Sequence, residues 1–257
     1  MADRIRTILS LFSGAVFALL LFWVTSGAAP WFALIVLGVW VTVVTAALWR
    51  LSRFHRPYTS IALIALLVMI ATTLMITIIE SHGFLVLVTI IGALMLGYLT
   101  MISFVPFEDD LIRFKPVRRT LTMFLVFVVY AALTFGFSLS VFFPDIPFSF
   151  ITIILGLCVS AITGYIWSLY DRSVWTQNRW WIIAFGMAVM ELVWIMHLLP
   201  FGYFASGLLV SWIWYIAQLF GRFHFSTQGI LWKKQQAFLI ANVVLYVLVL
   251  AFFVRWV

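Results

Sequence analysis

Nine apolar runs, each long enough to cross a bilayer, follow one another along this chain and constrain its fold more than any other feature. A transmembrane helix needs about 20 mostly apolar residues to span the hydrocarbon core. We place the spans at residues 7–26, 31–49, 60–79, 84–104, 121–143, 149–169, 180–199, 202–220 and 236–256. The sequence therefore predicts an all-α polytopic transmembrane bundle with about nine spans, in a single transmembrane domain over residues 1–257.

The positions of the basic residues predict the topology of these spans. The chain has 15 Lys and Arg residues, and all but Arg255 precede the first span or follow spans two, four, six and eight. Cytoplasmic connections are enriched in Lys and Arg. We therefore expect a multi-pass protein of the inner (cytoplasmic) membrane, with the amino terminus inside and the carboxyl terminus outside. The first segment also has the pattern of a signal peptide, but we expect a retained anchor.

Composition excludes several other classes of protein. With 66% apolar and 9% charged residues, the chain cannot form an ordinary soluble core. The net charge of +7 lies at span ends, where basic residues meet lipid phosphates, so we expect no nucleic-acid partner. No cofactor fingerprint, nucleotide-binding loop or catalytic triad occurs, and we expect no cofactor and no bound metal. Membrane lipids are the expected partners, together with other membrane subunits or an apolar ligand held among the many aromatic rings.

Small residues four positions apart predict where helices pack closely. Such residues let two backbones approach, which drives helix association in lipid. Gly156, Ser160 and Gly164 form one stripe in the sixth span, and Ala184 with Ala188 forms another in the seventh.

Glu191 is the one acid that lies well inside a predicted span. An ionised side chain at mid-bilayer costs about 2.5–3.5 kcal/mol, so such a group is protonated, paired, or facing protein or water. Helical periodicity puts Glu191 on one face with Ala184, Ala188 and Ile195. We therefore expect its carboxyl group to point toward a tightly packed neighbour.

The hairpin between spans seven and eight supplies candidate partners for this carboxyl group. Reflection about residues 200–201 brings Ser211 to the same depth, with Tyr215 as a second candidate. Together with Trp194, these residues form the predicted ligand or proton site. The structural alternative is a neutral acid that is hydrogen-bonded between helices.

The connection 105–120 is the densest polar stretch and suggests an alternative site. Asp109 and Asp110 could hold a divalent ion, and Arg113 and Arg118 could neutralise a lipid-linked phosphate. The simpler interpretation is a solvated loop whose basic residues meet anionic lipid.

The segment Glu191, Leu192 and Trp194, followed by Leu199, Pro200, Phe201, Gly202, Tyr203 and Phe204, carries the one family resemblance in the chain. It resembles a pattern in multi-pass membrane proteins of uncultivated, small-genome bacteria. The likeness covers residues 180–220, and the family implies no known activity.

Our leading hypothesis is a non-enzymatic integral membrane protein, either a permease-like carrier or a subunit of a membrane complex, with Glu191 as its intramembrane polar centre. The alternative is a membrane enzyme that acts on a lipid-linked phosphate through the connection 105–120.

Overall fold

In the computed structural model, the described residues form helices joined by short connections, without β-strands among them. The structure describes residues 2–26, 30–52, 58–103, 115–170, 174–225, 229 and 232–252. Helices suit apolar spans because every backbone N–H and C=O group in hydrocarbon must be hydrogen-bonded within the segment. The predicted all-α fold is confirmed.

Nine long helices and one single-turn helix make up the described part of the chain. They are α1 (Ala2–Thr25), α2 (Pro30–Ser52), α3 (Tyr58–Ile78), α4 (His82–Ser103), α5 (Lys115–Phe142), α6 (Phe148–Ser168), α7 (Val174–Gln177), α8 (Arg179–His197), α9 (Tyr203–His224) and α10 (Trp232–Phe252). Each predicted span coincides with one long helix. Only the short α7 has no counterpart among the predicted spans.

The apolar character of these helices makes the chain a membrane-embedded protein. Within the described residues, 7 helices are long and apolar enough to cross a bilayer. Two further apolar stretches, Leu34–Arg50 in α2 and Gln235–Ala251 in α10, are shorter. The expected count of about nine spans is therefore roughly consistent with the structure.

Helix α5 begins earlier than the predicted fifth span. It begins at Lys115, so Arg118 and Arg119 lie on its first turns and not in a loop. Pro116 suits this position, because the first residues of a helix need no N–H donor for an intrahelical bond. The prediction that a loop extends to residue 120 is therefore wrong.

Contacts divide the chain into two compact units, Met1–Ala131 and Ala132–Val257, and the boundary falls within α5. The single domain over residues 1–257 stays a prediction.

In the first unit, α1 packs along α4, and α3 packs against both α2 and α4. A Cβ atom added at Gly14 would lie 2.7 Å from the carbonyl oxygen of Ala93, and the hydroxyl oxygens of Ser13 and Thr100 are 3.0 Å apart. Small residues therefore bring α1 and α4 together.

In the second unit, α6 packs along α8 through the predicted stripe of small residues. Gly156 lies directly against the side chain of Met190. The Ser160 hydroxyl group donates a 2.8 Å hydrogen bond to the carbonyl oxygen of Ile182, and Gly164 is buried. The predicted helix contact along this stripe is confirmed.

Helices α9 and α10 complete the second unit. Gly207 of α9 lies against Thr134 of α5, where a side chain would have no room. The indole Nε1 of Trp212 donates a 3.0 Å hydrogen bond to Asn242 Oδ1, and its ring packs edge-on against Tyr246. Aromatic and amide side chains therefore hold α10 against α9.

Candidate functional site

Helix α8 has one buried face and one exposed face. Its buried residues are Ile182, Gly186, Val189, Val193 and Met196. Its exposed residues include Ala184, Ala188, Glu191 and Ile195. Successive residues advance about 100° around an α-helix, so Glu191 and Val193 lie about 200° apart, on opposite sides of α8.

The prediction that Glu191 points toward a packed neighbour is therefore wrong. The physical reason lies in Gly186, on the other face of the helix. A Cβ atom added at Gly186 would lie 2.8 Å from the Cβ atom of Ser160, so this glycine allows an approach that an alanine does not. The closest helix contact therefore forms on the glycine side, which leaves Ala184 and Ala188 exposed beside Glu191.

The predicted partners of the Glu191 carboxyl group do not reach it. Ser211 is buried, and its hydroxyl group donates a 2.9 Å hydrogen bond to the carbonyl oxygen of Leu208 within α9. Tyr215 is half-buried. Neither forms a hydrogen bond with Glu191, which has no hydrogen-bond or ion-pair partner among the described residues. The predicted pairing is wrong, whereas the role of Glu191 as a ligand or proton site stays a prediction.

Trp194 belongs to an aromatic cluster near the end of α8. Its ring centroid lies 5.8 Å from that of Phe148, and the Trp194 side chain is 46% exposed. The imidazole ring of His197 stacks on Phe148 with a centroid distance of 3.6 Å. The ring of His197 therefore packs against α6. In the described part of the chain, no group of three or more His, Cys, Asp or Glu side chains could hold a metal ion.

The alternative phosphate site is described only at its last residue. Asp109, Asp110 and Arg113 lie outside the described residues. Arg118 is half-buried on α5, and its carbonyl oxygen accepts a 2.8 Å hydrogen bond from the Thr122 hydroxyl group. The enzyme hypothesis therefore stays a prediction.

The most deeply buried tryptophans fill contacts between helices. Trp214 is 1% exposed, and its Nε1 donates a 2.8 Å hydrogen bond to Thr163 Oγ1 of α6. Trp167 is also 1% exposed, and its Nε1 donates to the carbonyl oxygen of Gln218 at 3.2 Å. These rings pack against protein, and the apolar ligand stays a prediction.

A groove on α2 was missed at the level of the sequence. Its volume is about 550 Å³, and it is lined by Val41, Thr42, Thr45, Ala46, Trp49, Arg50 and Leu66. The available signal was the spacing of Thr42, Thr45 and Trp49, which places polar and amphipathic side chains on one side of a helix that ends in an arginine.

The described apolar helices place this chain in the class of polytopic helical membrane proteins, and Glu191 is exposed on one of them. No family model, curated protein or solved structure matches this chain. The resemblance of residues 180–220 to multi-pass proteins of small-genome bacteria stays a prediction. The functional argument therefore depends on the geometry of α8.

Proposed function

We propose that this protein is a non-enzymatic subunit of a membrane complex, and that another subunit covers the exposed face of α8 around Glu191. The observation that carries the proposal is the position of this acid. Glu191 is exposed, and it lies six positions before the end of α8 at His197. At a rise of 1.5 Å per residue, this distance is about 9 Å, which a glutamate side chain cannot span to reach the headgroups.

A lipid-facing carboxyl group at this depth lacks a hydrogen-bond partner in the free subunit. Hydrocarbon supplies no hydrogen-bond partner, and an ionised carboxylate costs about 2.5–3.5 kcal/mol there. Polar side chains in spans accordingly face protein or water. A second helix against α8 would give the carboxyl group a partner and remove it from lipid.

The covering subunit that fits this face best is a second copy of the same chain. Ala184 and Ala188 are small, so a second backbone can approach closely beside Glu191. The spacing of residues 184, 188, 191 and 195 follows the heptad of left-handed helix pairs. A two-fold axis places identical residues opposite each other. The two Glu191 carboxyl groups then face each other, and a carboxylic acid can both donate and accept a hydrogen bond.

The carrier hypothesis has less support from the same geometry. A carrier needs a water-filled path to its polar centre, bounded by protein. Glu191 lies on the side of α8 opposite to the contact with α6, and that contact is closed by Met190 against Gly156. The position of Glu191 therefore favours association with another subunit.

Cysteine cross-linking in the membrane tests this function. Cys158 is the only cysteine in the chain, and it is exposed near the middle of α6. It serves as the matched control for Ala188→Cys built in a Cys158→Ser background. We expect an oxidant to link Ala188→Cys chains into dimers efficiently and native Cys158 chains only weakly. Equal yields at the two positions, or dimers at Cys158 alone, would contradict the proposal.

We also propose that the complex lies in the cytoplasmic membrane of a bacterial cell, with the amino terminus inside. The support is that all Lys and Arg residues except Arg255 lie before the first span or in alternate connections. The bacterial source rests on the resemblance of residues 180–220.

A further inference from the structure

The groove on α2 and α3 is a second candidate site, and it lies within the first unit. Its walls include Val41 and Ala46 of α2 and Leu66 of α3. Trp49 and Arg50 form the end of the groove nearest the carboxyl terminus of α2. Arg50 lies in the last turn of α2 and is exposed. The groove therefore combines an apolar wall with a cationic end.

The positive charge that follows α2 is uncompensated in the sequence. Arg53 and Arg56 follow Arg50 closely, and no Asp or Glu occurs between Asp3 and Glu80. The Arg50 side chain forms no ion pair or hydrogen bond within the part of the chain that the structure describes. A guanidinium group binds phosphate through two parallel hydrogen bonds. The open end of the groove is therefore complementary to a phosphate anion.

The polar side chains of the groove follow a definite order in depth. Thr42 donates a 2.8 Å hydrogen bond to the carbonyl oxygen of Gly38, so its hydroxyl hydrogen is already used within α2. Thr45 precedes Arg50 by five residues, which places it about 7.5 Å from Arg50 along the helix axis. The Thr45 hydroxyl oxygen is buried and has no hydrogen-bond partner. Threonine has two accessible rotamers in a helix, so this hydroxyl group can turn toward an acceptor in the groove.

We propose that the groove binds one anionic phospholipid. Its phosphate contacts Arg50, an ester oxygen accepts a hydrogen bond from the Thr45 hydroxyl group, and an acyl chain lies along the apolar wall. The order of Arg50, the Thr45 hydroxyl group and Val41 along α2 matches the order of phosphate, glycerol esters and acyl chains in such a lipid. The inference is independent of the association through Glu191, which lies in the second unit.

Native mass spectrometry of the full chain in detergent tests the site with phosphatidylglycerol and phosphatidylethanolamine as probes. Ala46→Phe fills the groove without changing charge, and Ala47→Phe is the matched control because Ala47 is exposed but does not line the groove. Arg50→Gln removes the cation of the groove. Its matched control is Arg119→Gln, which removes an exposed basic residue elsewhere in the first unit. Thermal unfolding of each variant shows that it is folded.

We expect one phosphatidylglycerol to bind the wild-type chain in preference to phosphatidylethanolamine. Ala46→Phe and Arg50→Gln should each weaken this binding about fivefold to tenfold, as expected for the loss of one lipid-phosphate contact, whereas the two controls should change it less than twofold. An equal loss of phosphatidylglycerol binding in Arg50→Gln and Arg119→Gln would show that binding depends on general surface charge, and it would overturn the proposal. Full competition by glycerol phosphate would indicate a site for soluble phosphate and would overturn it as well.

Discussion

Ser160 of α6 occupies the space that a side chain at Gly186 of α8 would need, since a Cβ atom built on Gly186 would lie 2.8 Å from the Ser160 Cβ atom. The Ser160 hydroxyl group also donates to the backbone of α8 at Ile182. One serine therefore fixes both the distance between the two helices and the face that α8 turns inward. The outward position of Glu191 follows from this contact.

The first prediction concerns the close approach at Gly186. Gly186→Ala should lower the free energy of unfolding by about 1–3 kcal/mol, because the new methyl group overlaps Ser160 and the helices must move apart. Thermal unfolding in detergent measures the change. Gly38→Ala is the control, since nothing lies within 4 Å of a Cβ atom at that position. An equal loss of stability in both variants would contradict the packing described for α6 and α8.

The second prediction concerns the hydrogen bond between Trp214 and Thr163. Thr163→Val should destabilise the protein by about 1–2 kcal/mol, because it leaves the buried indole N–H group of Trp214 without an acceptor. In the double variant with Trp214→Phe, the combined loss should be smaller than the sum of the two single losses. Thr77→Val, at an exposed residue whose hydroxyl group bonds only its own helix, should have little effect. Additive losses would show that the two groups do not interact.

The third prediction concerns Glu191 on the exposed face of α8. Glu191→Leu should weaken self-association in proteoliposomes about fivefold to tenfold, because the hydrogen bond between carboxyl groups is lost. Glu191→Gln should retain most of it, since an amide both donates and accepts. Energy transfer between labelled chains measures association, and Leu157→Ala on the exposed side of α6 is the control. If Glu191→Gln instead abolishes proton-dependent uptake while association is unchanged, the carrier hypothesis is favoured.

The fourth prediction concerns topology. In a Cys158→Ser background, a membrane-impermeant maleimide applied to spheroplasts should label Asp145→Cys but not Lys233→Cys, because the basic connections are expected inside. Both positions should react after the membrane is permeabilised. Labelling of Lys233→Cys in sealed spheroplasts would reverse the assigned orientation.

The number and ends of the long helices could be predicted because bilayer thickness and backbone hydrogen bonding leave few options for an apolar run. The start of the fifth span differed most from its prediction. Polar Lys115, Arg118 and Arg119 indicated a loop, whereas their long side chains extend readily from the first turns of α5 toward water.

The candidate site was less predictable, because side-chain polarity does not decide which face of a membrane helix is buried. In a soluble helix the apolar face turns inward, but α8 is apolar on both faces and lipid accepts either one. The stripe of Gly156 and Ser160 was recognised as a contact, since glycine and serine are small whatever lies opposite them. The packed face of α8 was assigned to Ala184 and Ala188, although Gly186 allows the closer approach.

The sequence by itself determined that this chain is a helical membrane protein, roughly where its spans lie, and that one acid lies deep within a span, because these properties depend on local hydropathy and on the thickness of the bilayer. Only the tertiary structure decided that Glu191 faces away from α6, that Ser211 bonds within its own helix, and that Arg50 overlies a groove. Those features depend on which small residues meet, and steric fit between two helices cannot be derived from the composition of either one.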